Sequence, residues 1–395
     1  MPLFRGRLAP YLGIMLVSLG LLTGVTSFSP IAEDIARDIH LTPVTYGALG
    51  MLGPFTLGVM GLITPFIARR LTLEWTIVAA AFLMAAGQLL RALAGEAGGF
   101  FVFSVVSMLG IGAANMLLPA LIKRYFPDRV VSVSTVYVVL LVVSSIYPPL
   151  FAVPLAQAFG WRLSVGLWFL IEALAVIPWF VTAIRSRKPQ SVSHSDIQSS
   201  ASITRKVWSH PASWALMAGY AVATFNFYIV VAWLPAILVE TAGADQLSAG
   251  ALLSLYPCVG VVAGFFIPQL VAKFANVGMI FTVNVALIAV GYLGLILAPG
   301  TLPWLWVVFA GTGPSLFSII LVAINYRTKT DVGASALSGM VTGGGYILGA
   351  IGPLIVGVLR ANGAPWSTTL VMLILSLVVT VIAGLGLRRR VNVDD

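Results

Sequence analysis

The chain has 395 residues, 59% of them hydrophobic and only 9% charged. A soluble domain carries about 25% charged residues, so the polar surface needed to face water is missing and lipid must cover most of the molecule. The net charge of +9 would suggest nucleic acid as the partner of a soluble protein. Here the basic residues fall between long apolar segments, where membrane topology accounts for them, and nucleic acid is excluded.

A spanning helix needs about 20 apolar residues. Twelve such segments run at 11–31, 45–68, 75–94, 99–122, 131–156 and 163–184, then 212–239, 248–272, 278–298, 303–325, 334–359 and 366–387. They are continuous rather than alternating, which excludes a transmembrane β-barrel. Arg5 and Arg7 ahead of the first run resemble a signal peptide, but eleven further segments follow, so this run is expected to stay as the first span.

Taken in order, the segments carry few polar groups. Arg91, near the outer end of the third, is expected to snorkel to the headgroups. Asn115 on the fourth is an amide in an apolar stretch and must find partners, either a solute or a neighbouring helix. The fifth holds Tyr137, Tyr147 and the Pro148-Pro149 pair, where a kink is expected. Glu172, in the middle of the sixth, is the one clear intramembrane acid. Such a group is costly and a functional candidate: a proton-coupling residue, or a protonated carboxyl packed against a neighbour. Residues 185–209 are rich in serine and basic residues and read as a linker with no core.

In the second half, Phe225, Asn226, Tyr228 and Trp233 lie on the seventh segment, Tyr256 and the lone Cys258 on the eighth, Thr342 and Tyr346 on the eleventh. Tyrosine and tryptophan combine a flat apolar face with a polar handle, suited to small planar molecules. For Trp233 and Tyr147 an interfacial aromatic belt is the competing reading. Cys258 reads as buried packing. The eleventh segment is studded with glycine, including Gly343, Gly344 and Gly345, and reads as a hinge, a sliding face or a close helix contact.

Orientation follows from charge. With the N-terminus inside, Arg5, Arg7, Arg69, Arg70, Lys123, Arg124, Arg129, the five basic linker residues, Lys273, Arg327, Lys329 and Arg388 to Arg390 face the cytoplasm. Only Arg37, Arg91, Arg162 and Arg360 fall at the outer side, with the acids Glu33, Asp34, Asp38, Glu96, Glu240 and Asp245. That asymmetry puts both termini in the cytoplasm. Pro30 and Pro235, Gly110 and Gly311, and Pro149 and Pro353 recur at a nearly constant offset, which suggests a duplicated six-helix unit: 1–184, a linker at 185–209, and 210–395.

Several stretches resemble the cyanate and 2-nitroimidazole porter branch of the major facilitator superfamily. Asn115-Met116-Leu117-Leu118-Pro119, Ile122-Lys123 and Phe126-Pro127 follow the branch's Asn-x-Leu-Leu-Pro-x-x-Ile-Lys-x-x-Phe-Pro pattern. Tyr228 with Trp233-Leu234-Pro235, Tyr326-Arg327-Thr328-Lys329-Thr330, Leu337-Ser338-Gly339-Met340, Gly345-Tyr346 and Gly352-Pro353-Leu354 are similar to it as well. The resemblance implies an all-α fold of two pseudo-symmetric six-helix bundles with a midplane substrate site between them. The chain departs from the branch where Asn-Leu-Arg-Pro stands early in span one: it reads Gly20-Leu21-Leu22-Thr23, without the arginine. The branch's glutamine in span eleven is replaced by Thr342.

The expectation is a monomeric secondary transporter of a bacterial-type inner membrane, working by alternating access. Its solute would be small, planar, neutral or weakly acidic and nitrogen-containing, with protons as the candidate coupling ion. Asn115, Tyr137, Asn226, Tyr228, Trp233, Tyr256, Thr342 and Tyr346 are the candidate binding residues, Glu172 the coupling candidate, and Pro148, Pro149, Gly343, Gly344 and Gly345 the candidate hinges. A broad-specificity exporter and a non-transporting membrane sensor are the alternatives. Gly110-x-Gly112 lacks a βαβ context and the three histidines lack metal-ligand spacing, so no cofactor, metal or enzymatic activity is expected.

Overall fold

The computed structural model describes residues 6–186, 205–274, 277–325, 327–386 and 393. Most of the expected linker, residues 187–204, lies outside the described residues, as do Tyr326 and Arg388 to Arg390. Regular structure among the described residues is helical throughout. The chain divides into two compact units, Met1–Gln190 and Ser191–Asp395.

The first unit holds six spans: Leu8–Ile39, Pro43–Ala68, Leu73–Ala92, Ala97–Tyr125, Val130–Phe159 and Trp161–Arg185. The second holds Pro211–Ala242, Gln246–Gly264, the shorter apolar helix Phe281–Leu297, Pro303–Ile324, Val332–Ala361 and Trp366–Gly384. The twelve segments read from the sequence are therefore present, with most ends shifted by a few residues, while span one ends later, at Ile39, and the apolar stretch of span eight earlier, at Gly264. Connections are tight and chemically specified. Thr42 caps the second span through its hydroxyl, which accepts from the Thr45 N–H at 3.2 Å. Gly160 sits at φ +85° between the fifth and sixth spans, a backbone that only glycine adopts without strain.

Span one departs from a plain helix. It runs as Leu8–Gly20, breaks at Leu21 and Leu22, resumes at Thr23–Thr26, passes through a 3-10 turn at Ser29–Ile31 and ends as Ala32–Ile39. Its middle reads Thr23-Gly24-Val25-Thr26-Ser27-Phe28-Ser29-Pro30. Hydroxyls there compete for backbone groups, and Pro30 has no N–H to continue the ladder. In the second unit the corresponding seventh span is one unbroken helix, Pro211–Ala242, and interruptions fall in span ten, between Ala310 and Ser315, and in span eleven, at Ala350. The two halves repeat in span count but break at different helices.

Glycine lets the helices meet backbone to backbone. A Cβ at Gly87 would lie 2.4 Å from the Ser107 nitrogen, and one at Gly110 2.6 Å from the Ala80 carbonyl oxygen, so spans three and four touch with no side chain between them. In the second unit a Cβ at Gly291 would lie 2.4 Å from the Ala310 nitrogen. Lipid offers no hydrophobic push between helices, so close packing of this kind holds them together.

Ion pairs mark the ends of each unit. At the end of the first unit where the chain starts, Arg7 pairs with Asp128 at 2.5 Å, and Arg124 with Glu74 at 3.1 Å. The Arg7 hydrogen bond holds the Asp128 carboxyl below the usual carboxylate range. That pair is intact at neutral pH and is lost only as pH falls through this lowered value. At the opposite end Arg162 and the Trp161 indole N–H both donate to Asp38. In the second unit Arg360 donates to Glu240 at 2.6 Å and lies over the Trp366 ring.

The glycine contacts set a testable limit. Gly87→Val forces spans three and four apart and is expected to cost about 1–3 kcal/mol. The measurement is thermal unfolding of the purified protein in detergent, with the exposed Gly95→Val, where an added Cβ meets open space, unchanged.

Candidate functional site

The break in span one sits in a buried polar cluster. Three spans of the first unit aim side chains at it. From span three, Arg91 donates through Nη1 to the Gly24 carbonyl at 2.9 Å and through Nη2 to Gln88 Oε1 at 2.8 Å and Ser27 Oγ at 3.4 Å. From span five, the Tyr147 hydroxyl donates to the Leu19 carbonyl at 2.7 Å, and Ser144 Oγ accepts from the Leu22 N–H at 3.2 Å. From span six, Glu172 Oε1 lies 2.9 Å from Thr23 Oγ1. Thr23 Oγ1 is also 2.8 Å from the Gly20 carbonyl.

Glycines admit this cluster. A Cβ at Gly20 would lie 3.0 Å from Glu172 Cγ, and one at Gly24 3.5 Å from Gln88 Oε1. Side chains would otherwise hold the carboxyl and the amide away from the span-one backbone. Thr23, Gln88, Arg91 and Glu172 are all 0% exposed. The Phe28 and Phe100 rings lie 5.9 and 5.6 Å from the Arg91 guanidinium, a cation–π cage.

Arg91 corrects the sequence expectation. It does not snorkel to the headgroups, because span one's broken backbone offers it carbonyl and hydroxyl acceptors inside the bundle. Cys258 is likewise exposed rather than packed inside. Glu172 lies where the sequence puts it, in the middle of span six, and its partner is the broken span one. Thr23, Gln88 and Ser144 were not singled out from the sequence. The available signals were the three-residue spacing of Gln88 and Arg91, which places both on one helix face, and the run of hydroxyl residues before Pro30.

The remaining candidates fall into three groups. Asn115 and Tyr137 meet: the Tyr137 hydroxyl donates to Asn115 Oδ1 at 3.2 Å, joining spans four and five, and both residues are half-buried. Tyr228 and Tyr346 are near each other in the second unit, with Tyr346 edge-on to Tyr220 at 5.2 Å. Thr342, one turn earlier, donates to its own helix at Ser338. The others are turned into their unit. Asn226 donates to Ser376 of span twelve at 2.8 Å, Trp233 donates to the Pro353 carbonyl, and Tyr256 is fully buried beside an apolar cavity of about 10 Å³, room for one water at most.

The candidate hinges also separate. Pro148 and Pro149 are buried within one continuous helix, Val130–Phe159. They follow Ser144 and Tyr147, the two residues that bind span one at its break. In span eleven the helix runs unbroken through Gly343, Gly344 and Gly345 and is interrupted only at Ala350. Gly344 and Gly345 abut Met217 and Tyr220 of span seven, whereas a Cβ on Gly343 would meet open space.

A broken apolar helix whose backbone is completed by side chains from its own bundle is a transporter feature. The family model of the Major Facilitator Superfamily matches residues 14–338. The chain belongs to the major facilitator superfamily. This facilitator is 28% identical over 385 residues to a 2-nitroimidazole transporter of Escherichia coli (strain K12), covering 95% of each chain. It is 26% identical over 282 residues to the cyanate transport protein CynX of the same organism, covering 71% of each. Its fold is that of a bacterial homolog of the human lysosomal transporter Spinster, with a TM-score of 0.74 at 16% identity over 97% of both chains. The resemblance to the cyanate and 2-nitroimidazole porters thus extends beyond the motifs that first suggested it. The facilitator is a membrane transporter and not an enzyme.

Arg91→Met tests the role of the guanidinium in this facilitator. It strips the donor from the Gly24 carbonyl and from Gln88 Oε1, at about 1–3 kcal/mol for each buried acceptor left unpaired. Arg91→Lys is expected to fall between wild type and methionine, since one ammonium does not reproduce the planar fork. Thermal unfolding in detergent ranks the three.

Proposed function

We propose that this facilitator carries a small, planar, neutral or weakly acidic nitrogen-containing solute across a bacterial-type inner membrane by alternating access, with protons as the coupling ion. The observation that carries the reading is the division of polar groups in the first unit. Asn115 and Tyr137 form a half-buried amide–phenol pair, suited to hydrogen-bond a flat polar solute. The one fully buried cation of these helices among the described residues, Arg91 near the outer end of span three, is engaged with Gly24, Ser27 and Gln88. A permanent anion would need an available cation, and the span-one arginine of the resembling branch is replaced here by Leu22. The relatives named a 2-nitroimidazole transporter and a cyanate transport protein fit a small nitrogen compound.

Tyr228 and Tyr346 are the second unit's best candidates for the solute's flat face. Tyr256, Asn226 and Trp233 support the bundle rather than the solute, given the contacts each makes within it. Thr342 stands where the branch carries glutamine and would narrow the polar contacts available. The six-helix halves 1–184 and 210–395 would move about the linker at 185–209, with Pro148, Pro149 and Gly343 to Gly345 as the hinge positions within the halves. The protein acts as a monomer with both ends in the cytoplasm, as its basic residues are distributed.

Glu172 is the coupling group in this reading. It is the only acid fully buried in the middle of the membrane spans among the described residues, and it touches the broken helix.

Two measurements test the proposal. Asn115→Ala removes the amide and is expected to raise the KM for 2-nitroimidazole counterflow in proteoliposomes by roughly tenfold, the equivalent of about 1.4 kcal/mol; an unchanged KM rejects Asn115 as a solute ligand. Glu172→Gln is expected to remove the response of uptake to an imposed pH gradient, and a full response in that variant rejects proton coupling through Glu172.

A further inference from the structure

Thr23 Oγ1 has two acceptors within hydrogen-bonding distance, the Gly20 carbonyl at 2.8 Å and Glu172 Oε1 at 2.9 Å. A hydroxyl has one proton to give. Both contacts are hydrogen bonds at once only if Glu172 carries a proton: the carboxylic acid then donates to Thr23 Oγ1, and Thr23 donates to Gly20. We propose that Thr23 is a positioning residue that relays the protonation of Glu172 to the break in span one. This deepens the reading of Glu172 as the coupling group and rests on it.

The relay has two settings. With Glu172 protonated, the chain Glu172–Thr23–Gly20 is complete and the carbonyl at the end of the first helical segment is paired. When Glu172 gives its proton to water, the carboxylate can only accept. The Thr23 proton then turns to it, and the Gly20 carbonyl loses this donor at the point where the helix is already broken. Glu172 is 0% exposed, so the exchange with water belongs to a different conformation from this one.

The charged and titratable neighbours of Glu172 come from two other helices. Arg91 from span three and Tyr147 from span five are the titratable groups within electrostatic reach of Glu172; span one presents none, only Thr23 and the Gly20 backbone. Among the described residues Glu172 Oε2 and Arg91 Nε have no hydrogen-bond partner. An ionised Glu172 accepts from Thr23 within the field of Arg91, and a neutral one donates to Thr23. The same proton therefore sets which way the Thr23 hydroxyl points, to Glu172 or to Gly20.

The experiment uses the whole protein in lipid and needs no solute. Infrared difference spectra are recorded across neutral pH for wild type, Glu172→Gln, Thr23→Val and Thr23→Ser. The expected result is a carboxylic-acid band in wild type that is absent in Glu172→Gln. The band should move to higher frequency in Thr23→Val, where the acid loses its acceptor, and hold its place in Thr23→Ser, which keeps a hydroxyl. Serine also controls for folding, since it lacks the methyl that valine preserves. A band that ignores Thr23→Val, or the lack of any Glu172 acid band, overturns the relay.

Uptake of 2-nitroimidazole under a pH gradient separates the two levels. Loss of the gradient response in both Glu172→Gln and Thr23→Val, with retention in Thr23→Ser, supports the relay. A response lost in Glu172→Gln but kept in Thr23→Val sinks the relay and leaves Glu172 as the coupling group. A response kept in Glu172→Gln sinks the coupling reading itself, whatever the spectra show.

Discussion

Within hydrocarbon every backbone polar group must find a partner inside the protein, because an unpaired one costs several kcal/mol. This constraint organises the first unit. Span one is broken at Leu21 and Leu22, and the groups around the break are met by Arg91, Ser144, Tyr147 and Thr23. Spans three, five and six are thereby tied to one weak point. The gap also explains why a fully buried arginine is tolerated: it takes acceptors that a continuous helix would have kept for itself.

The second unit meets the same constraint differently. Its span seven is continuous and packs span eleven against it through Gly344, Gly345, Gly349 and Gly352, with Met217, Tyr220, Thr224 and Phe225 filling the spaces where side chains would stand. Its longer interruption lies in span ten, where Gly311, Gly313 and Pro314 cannot sustain a helix. Asn284 of span nine donates to Ser315 at the point where that helix resumes. Duplication has kept the number of spans but moved the weak point, and with it the ionisable groups: among the described residues the second unit has no buried acid, and its buried arginine, Arg327, follows the end of span ten. Proton handling in the proposed mechanism is therefore a property of the first unit, and the aromatic pair Tyr228 and Tyr346 of the second has no charged role.

Part of the candidate site was legible before any coordinates. An acid in the middle of an apolar segment is conspicuous, and Glu172 stood out for that reason. Asn115 was visible as an amide in an apolar run, although its partner Tyr137, 22 residues away, was only one aromatic among several. Asn226 looked equivalent to Asn115 in sequence. The difference is the helix face: Asn226 points at Ser376, and nothing local to span seven reveals that. Arg91 was misjudged because its distance from the segment's end suggested an escape to the headgroups, while its acceptors lie 64 and 67 residues back along the chain.

Composition and run length alone determined that this is an all-helical membrane protein of twelve spans, and the motif in span four pointed to its superfamily, because hydrophobicity and short patterns are properties of neighbouring residues. Only the tertiary structure decided that span one is open at its middle, that Arg91 closes it, and that Thr23 stands between Glu172 and Gly20. Thr23 and Glu172 are 149 residues apart. Contacts at that separation depend on how helices pack side by side, and the periodicity of one helix carries no record of its neighbour.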